Sequence, residues 1–304
     1  MRLVFLTADS CLRSLIACLL ICLVFSAAIP VIAFGQPEEL LIGIEPEHNI
    51  FDQMKRYRSL ASHLSDQLGV KIKLTIMSRY GEVIKRFKTL KLDGAFLTSY
   101  TATLGINELN LEPVANPVNL TDESTSQGYI FVRKDSVIRS VLDLEGSSIV
   151  FVDPASMEGY LFPLVFFQQH GVKNINKFFQ HSYFSGSHES TIFAVLDGRA
   201  DVGAARDTVF NSLVSKDLSI EQDLEIIARS PKVPEITLCI KSEINQDLKN
   251  KLSNILLQMD RTDDGMKVLQ QFKAKRFVKS NKEDFIIIEK MARKALGTLT
   301  VHGK

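Results

Sequence analysis

The sequence predicts an α/β protein of two lobes, each a mostly parallel sheet flanked by helices, joined by a two-stranded hinge. Three observations predict it. Strand and helix patterns alternate from residue 40 onward. One helix–turn–strand phrase occurs twice, at 82–99 and 190–208. Two long extended stretches, 112–136 and 224–244, connect the segments that carry the copies. Alternating strands and helices imply a sheet covered on both faces.

The elements follow in order. "LLIGIEP" (40–46) is a short apolar strand. In 51–69, Met54, Tyr57, Leu60, Ala61, Leu64 and Leu68 recur at 3–4 spacing, which is one apolar helix face. Gly69 is placed to stop that helix. "KIKLTIM" (71–77) alternates like a strand, "GEVIKRFKTLKL" (81–92) is helical and "DGAFL" (93–97) is a strand. The second copy, "STIFAVLDGRADVGAARDT", has the same plan: a helix, a turn, an Asp, small buried-strand residues and a hydroxyl-bearing exit. Asp93 and Asp201 are its fixed points. Two copies this far apart are two lobes of like build, not a solenoid. After the second extended stretch, 246–259, 262–273 and 282–296 read as helices. The first lobe is therefore built from both chain ends. Its expected parts are 36–125 and 235–304, with 126–234 as lobe two and hinges near 120–135 and 228–240. Ligands of open α/β sheets bind beyond the strands' carboxyl ends, which here face an interlobe cleft.

Composition narrows the function. The 304 residues are 45% hydrophobic and 23% charged, enough for one large or two medium cores. A formal net charge of +1 gives no electrostatic case for nucleic acid. Arg2 and Arg13 precede an uncharged run at 15–35. That run reads as a signal peptide cleaved near Gly35–Gln36, and its rival reading is an uncleaved membrane anchor. "LIAC" (15–18) resembles a lipoprotein box, but most of the apolar run follows it instead of preceding it. Cleavage removes Cys11, Cys18 and Cys22 and leaves Cys239, so no internal disulfide is expected. No Cys/His spacing suggests a metal site. Export without disulfides fits a bacterial envelope protein whose fold rests on its core. Nucleophile elbows, metal motifs and phosphate-cradling Gly-rich loops are absent from the sequence, so an enzyme is not expected and no cofactor is implied. Glu158 and Asp207 form a conceivable acid pair only if both line the cleft.

The stretches "RYRSLASHLSDQLGVKIKL", "RYGEVIKRFKTLKLDGAFL", "YIFVRKDS", "VFVDPAS", "GYLFP", "FSGSHES" and "VLDGRADVGAARD" occur in this order. Together they resemble the periplasmic phosphonate/phosphite-binding proteins of ABC importers, the PhnD-like group, over about 40–295. The resemblance implies a type II periplasmic binding fold. It also implies capture of a small oxyanion between closing lobes and delivery to a membrane permease. A monomer is expected, with a membrane-tethered sensory or accessory module of the same fold as the alternative.

The resemblance directs attention to particular residues. Ser156 follows the "VDPA" strand end, where relatives commonly carry Ser-Thr-Ser; it is a ligand donor, an N-cap or both. Here Met157 and Glu158 replace the other two hydroxyls. Glu158 suits a helix start but repels a dianion, so it either turns outward or meets a cationic part of the ligand. His188 lies where the family places a His beside the oxyanion; a structural His is the rival. Thr98, Ser99 and Thr101 put hydroxyls at the mouth of lobe one or simply cap a helix, and Tyr100 among them stacks, donates or packs. Tyr80 matches a cleft Tyr, with Arg79 beside it. Ser126 stands where many relatives have a Tyr. Glu235 matches an acidic hinge residue of aminoalkylphosphonate binders, against a solvated loop charge. Asp207 exits its strand toward the cleft, beside Arg206, which offsets it, pairs with it or contacts the ligand.

Overall fold

A computed structural model describes residues 39–46, 50–77, 79, 81–138 and 140–299. The apolar N-terminal run and Tyr80 lie outside these residues. Among those described, no helix is long and apolar enough to cross a membrane.

The chain opens with β1 (Glu39–Ile44), α1 (Ile50–Leu68), β2 (Lys71–Ile76), α2 (Val83–Leu90), β3 (Gly94–Thr98), α3 (Ser99–Glu108) and β4 (Leu111–Asn119). It crosses through β5 (Thr125–Ser126) to β6 (Gly128–Arg133), β7 (Ser148–Phe151), α4 (Phe162–Gln169), α5 (Ile175–Phe178), β8 (His181–Phe184), α6 (His188–Leu196), β9 (Val202–Arg206), α7 (Asp207–Val214), α8 (Ser219–Asp223) and β10 (Leu224–Arg229). It returns through β11 (Val233–Pro234) to β12 (Ile236–Lys241), α9 (Gln246–Gln258), α10 (Asp263–Phe272), β13 (Ala274–Lys279) and α11 (Ile286–Leu296).

Two sheets result. The first has six strands in the order β13-β4-β12-β3-β1-β2, the second five in the order β10-β6-β9-β7-β8. Their parallel parts are β3-β1-β2 and β9-β7-β8; the remaining strands pair antiparallel. The sheets are thus mixed, not mostly parallel. The crossing segments β4, β6, β10 and β12 enter the sheets themselves; β6 and β12 run against the βαβ direction, and β10 and β4 pair antiparallel to them in turn. β13 is a further difference, since it falls between the helical stretches 262–273 and 282–296, where the sequence marks no strand. "AKRFVK" is a short, cation-rich edge strand, and such strands carry little apolar signal. The crossing strands β5 and β11 pair as a ribbon, with Ser126 opposite Val233 and Thr125 opposite Pro234.

The repeated Asp has one structural job in both copies. Leu41 N donates to Asp93 Oδ2 at 2.9 Å, and Asp93 N to Leu41 O at 2.9 Å. Ser148 N donates to Asp201 Oδ2 at 2.7 Å, and Asp201 N to Ser148 O at 3.1 Å. Each Asp pins its incoming strand to the parallel neighbour, which sets the register. Each strand then ends in polar residues that open a helix, α3 or α7.

The cores follow from the helix faces. Tyr57, Leu60 and Leu64 of α1 bury against Phe96 and Phe272 on one side of the first sheet. Ile192 and Val195 of α6 pack on Phe131 and Phe210 in the second lobe. A third cluster joins Leu97, Tyr100 and Leu104 of lobe one to Leu161, Phe162 and Phe167 of lobe two, through Ile288 and Ala292 of α11. Gln168 Nε2 also donates to Ala295 O at 3.1 Å. The C-terminal helix therefore touches both lobes.

Candidate functional site

The stretch after β7 builds one wall of the site. Asp153 Oδ1 accepts from Ala155 N at 2.8 Å and turns the chain. Ser156 is extended (φ −87, ψ 124), and its Oγ accepts from Gly159 N at 2.9 Å. This is a working N-cap. Residues Met157–Leu161 then form one π-helical turn, closed by Leu161 N donating to Ser156 O at 3.0 Å, and run on into α4. Two glycines let the turn lie close to the sheet. A Cβ on Gly159 would stand 2.3 Å from Val152 Cγ2, and one on Gly128 would stand 2.9 Å from Glu158 O. Met157, 1% exposed, goes into the shared apolar cluster, so the structure places it in the core and not on a ligand.

Glu158 turns inward. Its side chain is 1% exposed, and Oε1 accepts from Ser126 Oγ at 2.8 Å and from Arg206 Nε at 3.0 Å. The outward alternative is thereby excluded, and the cation that Glu158 meets belongs to the protein. Burial alone would raise its pKa, but the Arg206 charge and the Ser126 hydrogen bond hold it below the ordinary value. Glu158 is therefore ionised at neutral pH, and a buried pair of this kind balances desolvation against attraction.

Arg206 ends β9 and reaches further. Its Nη1 lies 3.7 Å from Glu235 Oε1, which also accepts from Thr208 Oγ1 at 2.8 Å. Glu235 is thus tied to lobe two and is not a solvated loop charge. His188, the first residue of α6, is buried, and its Nδ1 accepts from Arg206 N at 3.0 Å. That bond assigns the neutral ring the Nε2–H tautomer. Asp207 opens α7 and accepts from Gln127 N at 3.1 Å and Thr208 N at 2.8 Å. Burial, with help from the Glu158 charge, raises its pKa against those amides.

Lobe one presents a residue that sequence reasoning did not single out. Glu45 follows β1 and is 2% exposed. Its Oε2 accepts from Thr98 N at 2.8 Å, Thr98 Oγ1 at 3.0 Å and Thr101 Oγ1 at 2.6 Å. Burial outweighs these bonds and pushes its pKa up to about 7. Thr98 and Thr101 therefore serve Glu45. Ser99 is buried with no hydrogen-bond partner for its Oγ among the described residues. Tyr100 is fully buried in the shared cluster, and burial, with the nearby Glu108 and Tyr160, raises its pKa to about 12. Tyr160 belongs to lobe two, so the two tyrosines approach across the lobes. Burial raises the pKa of Asp153, and the charge of Arg79 of lobe one offsets part of that rise.

The predicted site residues thus divide. Glu158, His188 and Glu235 meet Arg206 at the carboxyl end of β9, the central strand of the second sheet; Ser126 bonds Glu158, Ser156 caps the same turn, and Asp207 follows Arg206 in the chain. Thr98 and Thr101 gather around Glu45 at the carboxyl end of the first. The available signal for Glu45 was slight: one carboxylate directly after the strand "LLIGI".

Comparison with known proteins gives this geometry a context. A sequence profile described as the periplasmic substrate-binding protein of the phosphonate ABC transporter matches residues 42–285. The chain is 25% identical over 273 residues to the probable ABC transporter phosphite binding protein PhnD1 of Prochlorococcus marinus, covering 86% of this chain and 91% of that one. It is 24% identical over 237 residues to the phosphate-import protein PhnD of Mycolicibacterium smegmatis, covering 74% and 73%. Its fold superposes on the P. marinus PhnD1 structure in complex with methylphosphonate with a TM-score of 0.72 at 24% identity, over 85% and 98% of the two chains. That likeness identifies the fold as the two-lobed type II periplasmic binding fold. The chain belongs to the periplasmic substrate-binding proteins of phosphonate ABC transporters.

Proposed function

We propose that the protein is the extracytoplasmic solute-binding component of an ABC importer and captures a small phosphorus oxyanion between its lobes. One observation supports the reading: oxyanion donors gather around a carboxylate in the second lobe. Ser126 and Arg206 hold the Glu158 carboxylate at 2.8 and 3.0 Å, with His188 and the capped helix start beside them. Hydroxyls, a guanidinium and helix-start amides are the donors that phosphoryl oxygens use. The curated relatives, a probable phosphite binding protein and a phosphate-import protein, support the same ligand class. The family match does not favour a tethered sensory module.

In this reading the paired crossings near 120–135 and 228–240 act as the hinge. The ligand seats on lobe two, the lobes close, and expelled water strengthens the remaining bonds. The protein exposes the closed shape to a permease as a monomer and performs no chemistry on its cargo. It reaches the periplasm through the apolar N-terminal segment.

A thermal-shift screen tests this. Phosphate, phosphite and methylphosphonate are expected to raise the melting temperature, because a ligand at 100 times Kd stabilises by about 2.7 kcal/mol. The reading fails if none of them shifts the transition while an amine or an uncharged solute does.

A further inference from the structure

The geometry points to Glu158 as the residue that sets the charge state of the ligand. Its buried carboxylate admits an oxyanion that still carries a proton and rejects one that carries none. The inference rests on the oxyanion reading above and goes beyond it, because neither family nor fold dictates a carboxylate at this position.

Glu158 faces Arg206 from the end of β9, His188 from the start of α6, Asp207 from the start of α7, and Glu235 beyond the guanidinium. The stretch of β6 behind the turn, Gly128–Val132, has no charged side chain. On α11, Glu289 and Arg293 pair with each other on the surface at 2.9 Å. Arg206 thus answers Glu158 at 3.0 Å and Glu235 at 3.7 Å, with Asp207 adding a third carboxylate. A doubly charged oxyanion placed here adds two negative charges to a site whose guanidinium is already engaged. Like charges at this range oppose each other strongly away from water.

A singly protonated oxyanion changes both terms. It brings one charge less, and its P–OH is a donor. An ionised carboxylate only accepts and offers about four lone-pair sites. At Glu158, Ser126 and Arg206 occupy two of them on Oε1, and the residue's own backbone N–H takes a third. A P–OH donating to Glu158 makes a short charge-assisted bond, while P–O⁻ oxygens take Ser156, His188 and the helix-start amides. Phosphonates, phosphite and phosphate keep such a proton near neutrality; sulfate and sulfonates do not. Glu158 thereby separates phosphorus from sulfur oxyanions of the same shape.

Calorimetric titration of the purified protein with methylphosphonate and methanesulfonate tests it. Wild type is expected to bind methylphosphonate at about pH 6, and at least about tenfold more weakly at about pH 9, as the competent protonated fraction falls. Methanesulfonate, a monoanion with no O–H, is expected not to bind. In Glu158→Gln the pH dependence is expected to shrink below about threefold, and methanesulfonate to bind within about tenfold of methylphosphonate. Glu158→Ser serves as a second variant, with the melting temperature confirming that each folds. Equal wild-type affinity for the two ligands overturns the inference, as does a pH dependence that Glu158→Gln leaves unchanged. Tight binding that ignores pH sinks the inference alone. Failure of every phosphorus oxyanion to bind wild type or variants sinks the oxyanion reading and the inference with it.

Discussion

Replacing Glu45 with Gln is expected to make the protein more stable at alkaline than at acidic pH, relative to wild type. The perturbation is near-isosteric and keeps an oxygen that can accept from Thr98 N, Thr98 Oγ1 and Thr101 Oγ1. What it removes is the charge. Burial raises the Glu45 pKa from 4.5 to about 7. Each factor of ten in that equilibrium is about 1.36 kcal/mol, so the whole gap corresponds to about 3 kcal/mol as an upper figure. The sign follows from proton counting. Between pH 4.5 and about 7 the folded chain holds a proton that the unfolded chain has lost. The stability contributed by protonated Glu45 is therefore complete below about 4.5 and is lost as pH rises through about 7. Urea unfolding of both proteins across that range, analysed as a difference, cancels every other titrating group. The gap should be small near the acidic end and reach about 3 kcal/mol in favour of Gln above the window, with unchanged m values. A gap that stays flat with pH, or that favours wild type at high pH, would refute the buried, proton-retaining Glu45.

Two further substitutions probe the turn after β7. Ser156→Ala removes the acceptor of Gly159 N and should cost about 1 kcal/mol in urea unfolding. It should also weaken methylphosphonate binding in calorimetry, and unchanged affinity would take the cap out of the site. Gly159→Ala puts a methyl 2.3 Å from Val152 Cγ2 and should destabilise by about 1–3 kcal/mol. A wild-type melting temperature for that variant would mean the turn does not sit on the end of β7.

Much of this protein is legible in the sequence because the signals are local. The 3–4 spacing of Tyr57, Leu60, Ala61, Leu64 and Leu68 gives their buried face directly. Gly69, at φ +68, ends that helix where the sequence places the stop, with its N donating to Ser65 O. The repeated Asp in its "DGA" and "DVGA" settings marks two strands that the structure pins in the same way. The order of the motifs along the chain is enough to indicate the family.

Other features depend on the rest of the molecule. β13 contributes only Ala274 and Phe277 to the buried face, too short an alternation to stand apart from the helices around it. The antiparallel halves of both sheets come from crossing segments, whose pairing no local pattern encodes. Above all, the sequence shows a carboxylate at 158 but not its direction. The partners that turn it inward are Ser126 and Arg206, 32 and 48 positions away, and a glycine at 128 lets the turn approach β6. Glu45 likewise acquires its high pKa from burial by the surrounding fold, which outweighs the hydrogen bonds from Thr98 and Thr101, 53 and 56 positions on. Periodicity reports which face of an element is buried. The charge a pocket presents is a sum over side chains brought together by the fold, and only the tertiary structure supplies that sum.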